Sequence, residues 1–112
     1  MMKKNILIDI DGTVSEDIPN EQSNRFPTAY VLKNASDSVR KLYERGHNIT
    51  FFTARTEEYR EVTEIWLDKN GFKYHNIIFG KPRGGNYVWI DNLDVTGVKF
   101  ENNWNEIVKN YT

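Results

Sequence analysis

The sequence predicts an α/β fold in which helices flank a mainly parallel sheet. Three observations predict it: short apolar runs alternate with runs of helical spacing, the elements follow a strand, loop, helix, strand, helix order, and polar residues stand where the apolar runs end. This order is typical of parallel strands covered by helices on both faces, a Rossmann-like three-layer sandwich. Because 112 residues suit one core, we expect a single domain over residues 1–112.

The first strand is predicted from Asn5 to Ile10, where the residues are mostly aliphatic and β-branched and do not alternate cleanly. This pattern is typical of a strand buried on both faces of a parallel sheet. The next stretch, from Val14 to Ala29, is polar and contains two prolines, so it is predicted to form an irregular loop. Long loops in small domains are often functional.

Apolar residues at helical spacing predict a first helix from about Tyr30 to Arg45, with Gly46 placed where a helix usually ends. A second buried strand is predicted at Asn48 to Phe52. Thr56 is suited to cap a second helix, which should end near the Asn-Gly pair at 70–71.

The final third of the chain is predicted to hold two or three short strands and a last helix. In order these elements are NIIFG, the turn KPRGGN, YVWID, a short strand near Val98 to Phe100 and an amphipathic helix around Trp104 to Tyr111. Only Pro82 to Asn86 separate Lys81 from YVWID, whereas a crossover between parallel strands usually needs a dozen residues or more. We therefore expect NIIFG to be an edge or peripheral strand.

Composition excludes several classes of protein. Fifteen Lys and Arg nearly balance sixteen Asp and Glu, which argues against a dedicated nucleic-acid binder but is compatible with a local basic patch. The chain has no cysteine, so disulfides and thiolate metal sites are excluded. No apolar run is long enough for a signal peptide or a membrane span. We expect a cytoplasmic protein with no membrane partner.

Five polar residues stand at the ends of predicted strands. They are Asp9 and Asp11 after the first strand, Thr53 after the second, Lys81 after NIIFG and Asp91 at the end of YVWID. Ligands of open parallel sheets bind beyond the carboxyl ends of the strands. Asp9 and Asp11 lie two residues apart and can face one side, where Asp91 can join them as Mg²⁺ ligands. Thr53 and Lys81 suit the charge of a phosphoryl group, so the site predicts phosphoryl transfer.

The segments DIDGT, FFTAR, GKP and WIDN, in this order, resemble the four motifs of the haloacid dehalogenase superfamily over essentially the whole chain. The resemblance implies a hydrolase of phosphate monoesters that works through an aspartyl-phosphate. It implies that Asp9 is the nucleophile and Asp11 the general acid and base. It further implies that Asp9, the backbone carbonyl of Asp11 and Asp91 hold Mg²⁺, while Thr53 and Lys81 bind the phosphoryl oxygens.

Further predictions concern two arginines that could contact substrate and two residues near the last motif that could support the metal site. Arg55 and Arg83 lie within a few residues of the expected phosphate ligands, and Arg suits bidentate contacts with oxyanions, so both are predicted substrate contacts. Many members of the superfamily carry a second acid directly after the residue that corresponds to Asp91. Here Asn92 follows and Asp94 comes later, which leaves open which of them supports the metal site.

The close spacing of GKP and the last strand resembles a small capless branch of the superfamily. Some members of this branch are associated with surface-polysaccharide biosynthesis, which makes a sugar phosphate one candidate substrate. A nucleotide or polynucleotide phosphatase is an alternative. Without a cap the site should be open, which predicts either an exposed phosphate on a large substrate or a partner subunit, such as a second copy, that acts as a lid.

Two rival functions belong to other classes. A receiver-like signalling domain also groups acids, Thr and Lys around a phosphorylated Asp. In a receiver, however, that Asp ends a middle strand between the acidic pair and the Thr, and no Asp ends NITFF. A catalytically silent binding module of the same fold is the second rival. The presence of both Asp9 and Asp11 argues against it.

Overall fold

The computed structural model describes residues 2–112 of the chain. Its elements are β1 (Asn5–Ile8), α1 (Ala35–Glu44), β2 (Asn48–Phe52), α2 (Arg60–Lys69), β3 (Asn76–Ile78) and α3 (Trp104–Lys109), with 3₁₀ turns at Asn20–Thr28 and Glu57–Tyr59. Strands and helices alternate through α2, which confirms the predicted α/β class. Within the described residues, no helix has both the length and the apolar character needed to cross a bilayer.

The three strands form one parallel sheet in the order β1, β2, β3. Ile8 lies opposite Phe51, which in turn lies opposite Ile77. The central strand has the bounds that its apolar run predicts, and β3 pairs on one side alone among the described residues. The prediction of an edge strand at NIIFG is therefore confirmed.

The core lies between the sheet and the helices. Phe51 of β2 packs edge-on against the ring of Phe72, which stacks on Trp66 of α2. Trp66 is buried, and its indole nitrogen donates to the carbonyl oxygen of Ala29 at 2.9 Å. The helix thereby fixes the segment that follows β1, because burying an indole N–H without a partner would cost free energy.

The segment between β1 and α1 is more ordered than predicted, and α1 begins later. Part of the predicted loop forms 3₁₀ turns around the buried ring of Phe26. Val31 is bridged to Ser15, and Asn34 has a φ of 65°. Neither conformation is helical, so α1 starts at Ala35 and not at Tyr30. No cap domain is inserted within residues 2–112.

The predicted strand YVWID does not form. All residues from Pro82 to Lys99 are exposed, and Val88 and Ile90 are 83% and 92% exposed. The predicted strand from Val98 to Phe100 also makes no strand pairing. The physical reason lies in the connection, because the five residues before Tyr87 are too few for the usual crossover to a further parallel strand.

As a result β1 is the other edge of the sheet. The prediction that this strand is buried on both faces is wrong, because Asn5 and Leu7 are exposed and only Ile8 is fully buried. Its aliphatic sequence suits a central strand, whereas its pairing is that of an edge strand.

Candidate active site

A cavity of about 290 Å³ opens beside the carboxyl ends of β1 and β2. Asp9 and Asp11 line it from the segment after β1, and Lys81 and Arg83 line it from the segment after β3. The volume is at the small end of the range for ligand pockets. Arg55 lines it from the segment after β2. Five of the residues predicted at the site therefore lie on one cavity, as expected from the rule that parallel sheets bind ligands at this edge.

The chain turns sharply after β1, and the turn holds Asp9 in place. Gly12 has a φ of 84°, a value that favours glycine, and the N–H groups of Thr13 and Val14 both donate to the carbonyl oxygen of Ile10. The turn brings the hydroxyl of Thr13 to 3.2 Å from Oδ2 of Asp9, to which it donates. Thr13 closes the motif DIDGT, but its sequence position alone predicted no role for it.

Lys81 supplies a fixed cation beside Asp9. Its backbone N–H donates to the carbonyl oxygen of Thr53 at 2.9 Å, and its Nζ lies 3.1 Å from Oδ1 of Asp9. The side chains of Lys81 and Asp9 are 15% and 35% exposed, so the pair faces the cavity without being sealed from it. A cation held at this point can offset the charge of a phosphoryl group that approaches the carboxylate.

Thr53 is fully buried and is not among the residues that line the cavity. Its Oγ1 accepts a hydrogen bond from the backbone N–H of Arg55 at 3.1 Å, and its own N–H donates to the carbonyl oxygen of Ile78. Thr53 therefore links the end of β2 to the end of β3 by one backbone hydrogen bond, and its carbonyl oxygen accepts the bond from Lys81. Its role as a donor to phosphoryl oxygens stays a prediction.

Arg55 lines the cavity, and its side chain is held by contacts within the protein. Its side chain has no exposed surface, and its Nε and Nη2 donate to Oδ2 and Oδ1 of Asp11 at 3.0 and 2.9 Å. The remaining group, Nη1, donates to Oγ1 of Thr63 at 2.9 Å, and the guanidinium carbon lies 3.7 Å from the ring centre of Phe26. Each guanidinium nitrogen thus has one partner within the protein, and the role of Arg55 as a substrate contact stays a prediction.

The ion pair fixes the plane of the Asp11 carboxylate. A bidentate arginine sets both the position and the rotation of its partner. A carboxylate has about four acceptor sites, of which Arg55 uses two. The Asp11 side chain remains 16% exposed on the cavity, so an oxygen is left to exchange a proton with a ligand there. Arg55 is therefore a positioning residue for Asp11.

The structure does not bring Asp91 to the cavity, which corrects the predicted metal site. Asp91 is exposed, and hydrogen bonds from the N–H of Leu93 at 3.0 Å and the indole of Trp89 at 3.2 Å lower the pKa of its carboxyl group. Within residues 2–112, no three His, Cys, Asp or Glu side chains are grouped to hold a metal ion. Asp9 and Asp11 thus lack their predicted third carboxylate, because the segment that carries it lies outside the sheet.

The mouth of the cavity is formed partly by residues without a predicted role. Asp17 and Asn20 line it on one side, and Tyr87 lines it beside Lys81, whose Nζ lies 5.2 Å from the ring centre of Tyr87. Arg83 is exposed at the same mouth. Its role as a substrate contact stays a prediction. Asn92 and Asp94 are exposed in the segment of Asp91, and neither is among the residues that line this cavity.

Comparison with known proteins identifies similar sequences and folds. The family described as PITM 1-3, LNS2 domain matches residues 6–88. A crystallographic target from Vibrio cholerae is 25% identical, with 80% of each chain covered and a TM-score of 0.60. Chains in two structures of the Pnkp1/Rnl/Hen1 complex, one titled an RNA repair complex, are 22% and 23% identical with TM-scores of 0.62 and 0.61. No curated protein matches the chain.

These comparisons differ in how much of each protein they cover. The matches to the Pnkp1/Rnl/Hen1 structures cover 81% and 75% of this chain but only 31% and 27% of the other chains, so they concern the fold of one part of larger proteins. The match to the Vibrio cholerae protein covers both chains equally well. Together with the LNS2 match, it confirms the predicted haloacid dehalogenase-like fold.

Proposed function

Because the chain belongs to the PITM 1-3, LNS2 domain family, whose fold is that of haloacid dehalogenase-like phosphatases, we propose that it hydrolyses a phosphate monoester through a phosphorylated Asp9. The observation that carries the proposal is the placement of Asp9, with Lys81 at 3.1 Å, beside Asp11 on one cavity. We further propose that residues 1–112 act as one domain of the capless type.

In the first step, an oxygen of Asp9 forms a bond to phosphorus and the bond from phosphorus to the ester oxygen breaks. The departing alkoxide takes a proton from the carboxyl group of Asp11, so that an alcohol leaves. A carboxylate is a weak nucleophile towards an anion, and Lys81 offsets the repulsion between the two.

In the second step, the carboxylate of Asp11 takes a proton from water as the water oxygen attacks phosphorus. The bond between Asp9 and phosphorus breaks, which releases inorganic phosphate and restores both acids to their starting forms. Arg55 holds Asp11 in one orientation through both steps, and a fixed acid or base contributes about a hundred- to ten-thousand-fold in rate.

The residues present fit a Mg²⁺ ion only in part. Asp9 and the backbone carbonyl of Asp11 are oxygen donors of the kind that Mg²⁺ prefers, but Asp91 lies elsewhere. When bound, the ion would neutralise charge on the phosphate. We propose Mg²⁺ dependence because phosphatases of this family generally use the ion.

Chelation is expected to abolish activity, and added Mg²⁺ is expected to restore it. Lys81 is the one cation that the described residues place against Asp9, and one positive charge is too few for a phosphate dianion beside a carboxylate. The measurement is the rate of phosphate release in excess EDTA and after titration with Mg²⁺. Undiminished activity in the chelator would remove the metal from the proposal.

The substrate class can be found with a panel of phosphate monoesters. We propose a small phosphorylated molecule, with a sugar phosphate as the first candidate, or an exposed phosphate on a larger molecule, because the cavity is small and open at Arg83. Phosphate release should be measured with Mg²⁺ across sugar phosphates, nucleotides and 3′-phosphorylated oligonucleotides, with Asp9→Asn as the blank. Release that is equal in the two proteins would contradict the proposal.

Replacing Arg55 by lysine is expected to lower kcat by about 100-fold with a much smaller change in KM, because lysine keeps the charge but not the bidentate hold on Asp11. The matched control is Arg83→Lys at the exposed mouth, where a change should appear mainly in KM. Circular dichroism establishes that both variants are folded. Equal effects of the two substitutions on kcat would show that Arg55 does not position Asp11.

A further inference from the structure

The C-terminal helix α3 is joined to the turn after β1 by one buried indole. Trp104, the first residue of the helix, is 4% exposed, and its Nε1 donates to the backbone carbonyl oxygen of Thr13 at 2.8 Å, across 91 residues of sequence. The side chain of Asn103 caps the helix by accepting from the N–H of Glu106 at 3.2 Å. A helix of six residues is too short to be stable alone, so its place depends on such contacts.

The chain directly after α3 is tied to the segment before β1 by a buried histidine. His47 has no exposed surface, and its Nδ1 accepts from the backbone N–H of Lys4 at 3.0 Å. Because Nδ1 is the acceptor, the ring hydrogen lies on Nε2, which donates to the carbonyl oxygen of Tyr111 at 2.8 Å. The α3 segment is therefore fixed to the chain both before and after β1.

The bond from Trp104 holds the second of the two peptide planes that flank Thr13. The first plane is held because the N–H of Thr13 donates to the carbonyl oxygen of Ile10 at 3.0 Å. In the second plane, the N–H of Val14 donates to the same oxygen at 2.9 Å, and the carbonyl oxygen accepts from Trp104. Since a peptide unit is rigid and planar, holding both planes fixes the direction of the Thr13 side chain.

The Thr13 side chain in turn holds the proposed nucleophile. Its hydroxyl donates to Oδ2 of Asp9 at 3.2 Å, while Nζ of Lys81 donates to Oδ1 at 3.1 Å. Two donors on different oxygens set both the position and the rotation of the carboxylate, and each oxygen keeps a lone pair for bond formation. Such alignment matters because a small misplacement of reacting atoms costs a large factor in rate.

We propose that Trp104 is a positioning residue for Asp9 and acts through Thr13, an inference that rests on the proposed function. Trp104 lies on a second cavity, along β1, and not on the one that holds both Asp9 and Asp11. Its effect is to keep the Thr13 hydroxyl, and with it the Asp9 carboxylate, in one orientation during the attack on phosphorus. Trp104 thus does for the nucleophile what Arg55 does for Asp11.

A second buried tryptophan provides a matched control within the same chain. Trp66 is 1% exposed, and its Nε1 donates to the carbonyl oxygen of Ala29 at 2.9 Å. The two indoles agree in burial and in the kind of bond they make, but Ala29 does not line the cavity of Asp9 and Asp11. If both bonds only satisfied a buried N–H, removing either one would have the same effect.

The first experiment compares Trp104→Phe with Trp66→Phe. Each substitution keeps a buried aromatic ring and removes one hydrogen bond, so similar decreases in melting temperature are expected. On the best substrate of the panel, Trp104→Phe should lower kcat about tenfold with little change in KM, whereas Trp66→Phe should stay within about twofold of wild type. Equal values of kcat in the two variants would overturn the proposal. A change mainly in KM would show instead that Trp104 contacts substrate.

Substitutions at Thr13 test the route of the effect. Thr13→Val removes the hydroxyl at nearly constant shape and should lower kcat about tenfold, whereas Thr13→Ser keeps the hydroxyl and should retain most of kcat. Adding Trp104→Phe to Thr13→Val should cause little further loss, because residues of one hydrogen-bond network are not additive. Losses that multiply in the double variant would show that Trp104 acts by another route, contrary to the proposal.

Nuclear magnetic resonance tests the link without turnover. The protein has three tryptophans, and replacing each by phenylalanine assigns its indole N–H signal. Asp9→Asn should shift the signal of Trp104 more than those of Trp66 and Trp89, because an amide is a weaker acceptor than a carboxylate for the Thr13 hydroxyl. An unmoved Trp104 signal would overturn the link. A chain that shows the shift but hydrolyses no monoester would refute the proposed function alone, so the two failures can be told apart.

Discussion

Asp9→Asn is expected to lower turnover by about ten-thousand-fold or more while the protein stays folded. An asparagine has nearly the shape of the aspartate, but its neutral amide oxygen does not form the phosphorylated intermediate. The substitution also removes the ion pair between Asp9 and Lys81. Because this pair is partly exposed, it contributes about 1 kcal/mol or less to the free energy of unfolding. The loss should therefore appear in kcat and not in the melting temperature.

The matched control for this experiment is Asp17→Asn. Asp17 lines the same cavity and is exposed, but it has no role in the proposed reaction. The measurements are kcat and KM on the best substrate of the panel, with thermal unfolding followed by circular dichroism. Substantial turnover by Asp9→Asn, or an equal loss in the control, would show that Asp9 is not the nucleophile.

The parts of the fold that sequence analysis predicted well depend on local pattern. The bounds of β2 follow from an apolar run that the sheet buries on both sides, and the end of α1 follows from Gly46, which has the positive φ of a helix-ending glycine. The shared cavity of Asp9, Asp11 and Lys81 follows from a general rule about the carboxyl ends of parallel strands.

The role of Arg55 could not be predicted because it depends on distant contacts. Its partner Asp11 is 44 residues away, and Thr63 and Phe26, which complete its surroundings, belong to no motif. Its position near the phosphate ligands indicated a substrate contact. A buried guanidinium, however, needs partners within the protein, and Arg55 finds a carboxylate partner in Asp11, one of the two proposed catalytic acids.

The apolar run in YVWID has the residues of a strand but not the location that was predicted for it. Propensity shows that Val88 and Ile90 suit a pleated and covered surface, but it does not specify which edge of a sheet provides that surface. The short connection after Lys81 argued against a simple crossover. Taken together, the two observations explain why the run lies outside the sheet of the described residues.

Asp11→Asn is expected to lower the hydrolysis of alkyl phosphates by about a hundred- to ten-thousand-fold for each of its two roles, proton donation and activation of water. Substrate binding should weaken far less. The substitution leaves Arg55 buried without its charged partner, which costs about 3–5 kcal/mol of stability, so the folded fraction must be measured alongside the rate.

Comparing two substrates within one variant removes the effect of partial unfolding, because the folded fraction cancels in the ratio of their rates. An aryl phosphate has a leaving group that needs no proton, so Asp11→Asn should slow its first step less than that of an alkyl phosphate. Phosphorylated Asp9 should then accumulate, since its hydrolysis still needs a base. Rapid quenching and mass spectrometry should find a labile adduct on the peptide that contains DIDGT. An adduct on any other acid, or equal losses for aryl and alkyl substrates with no adduct, would show that Asp11 is not the acid and base.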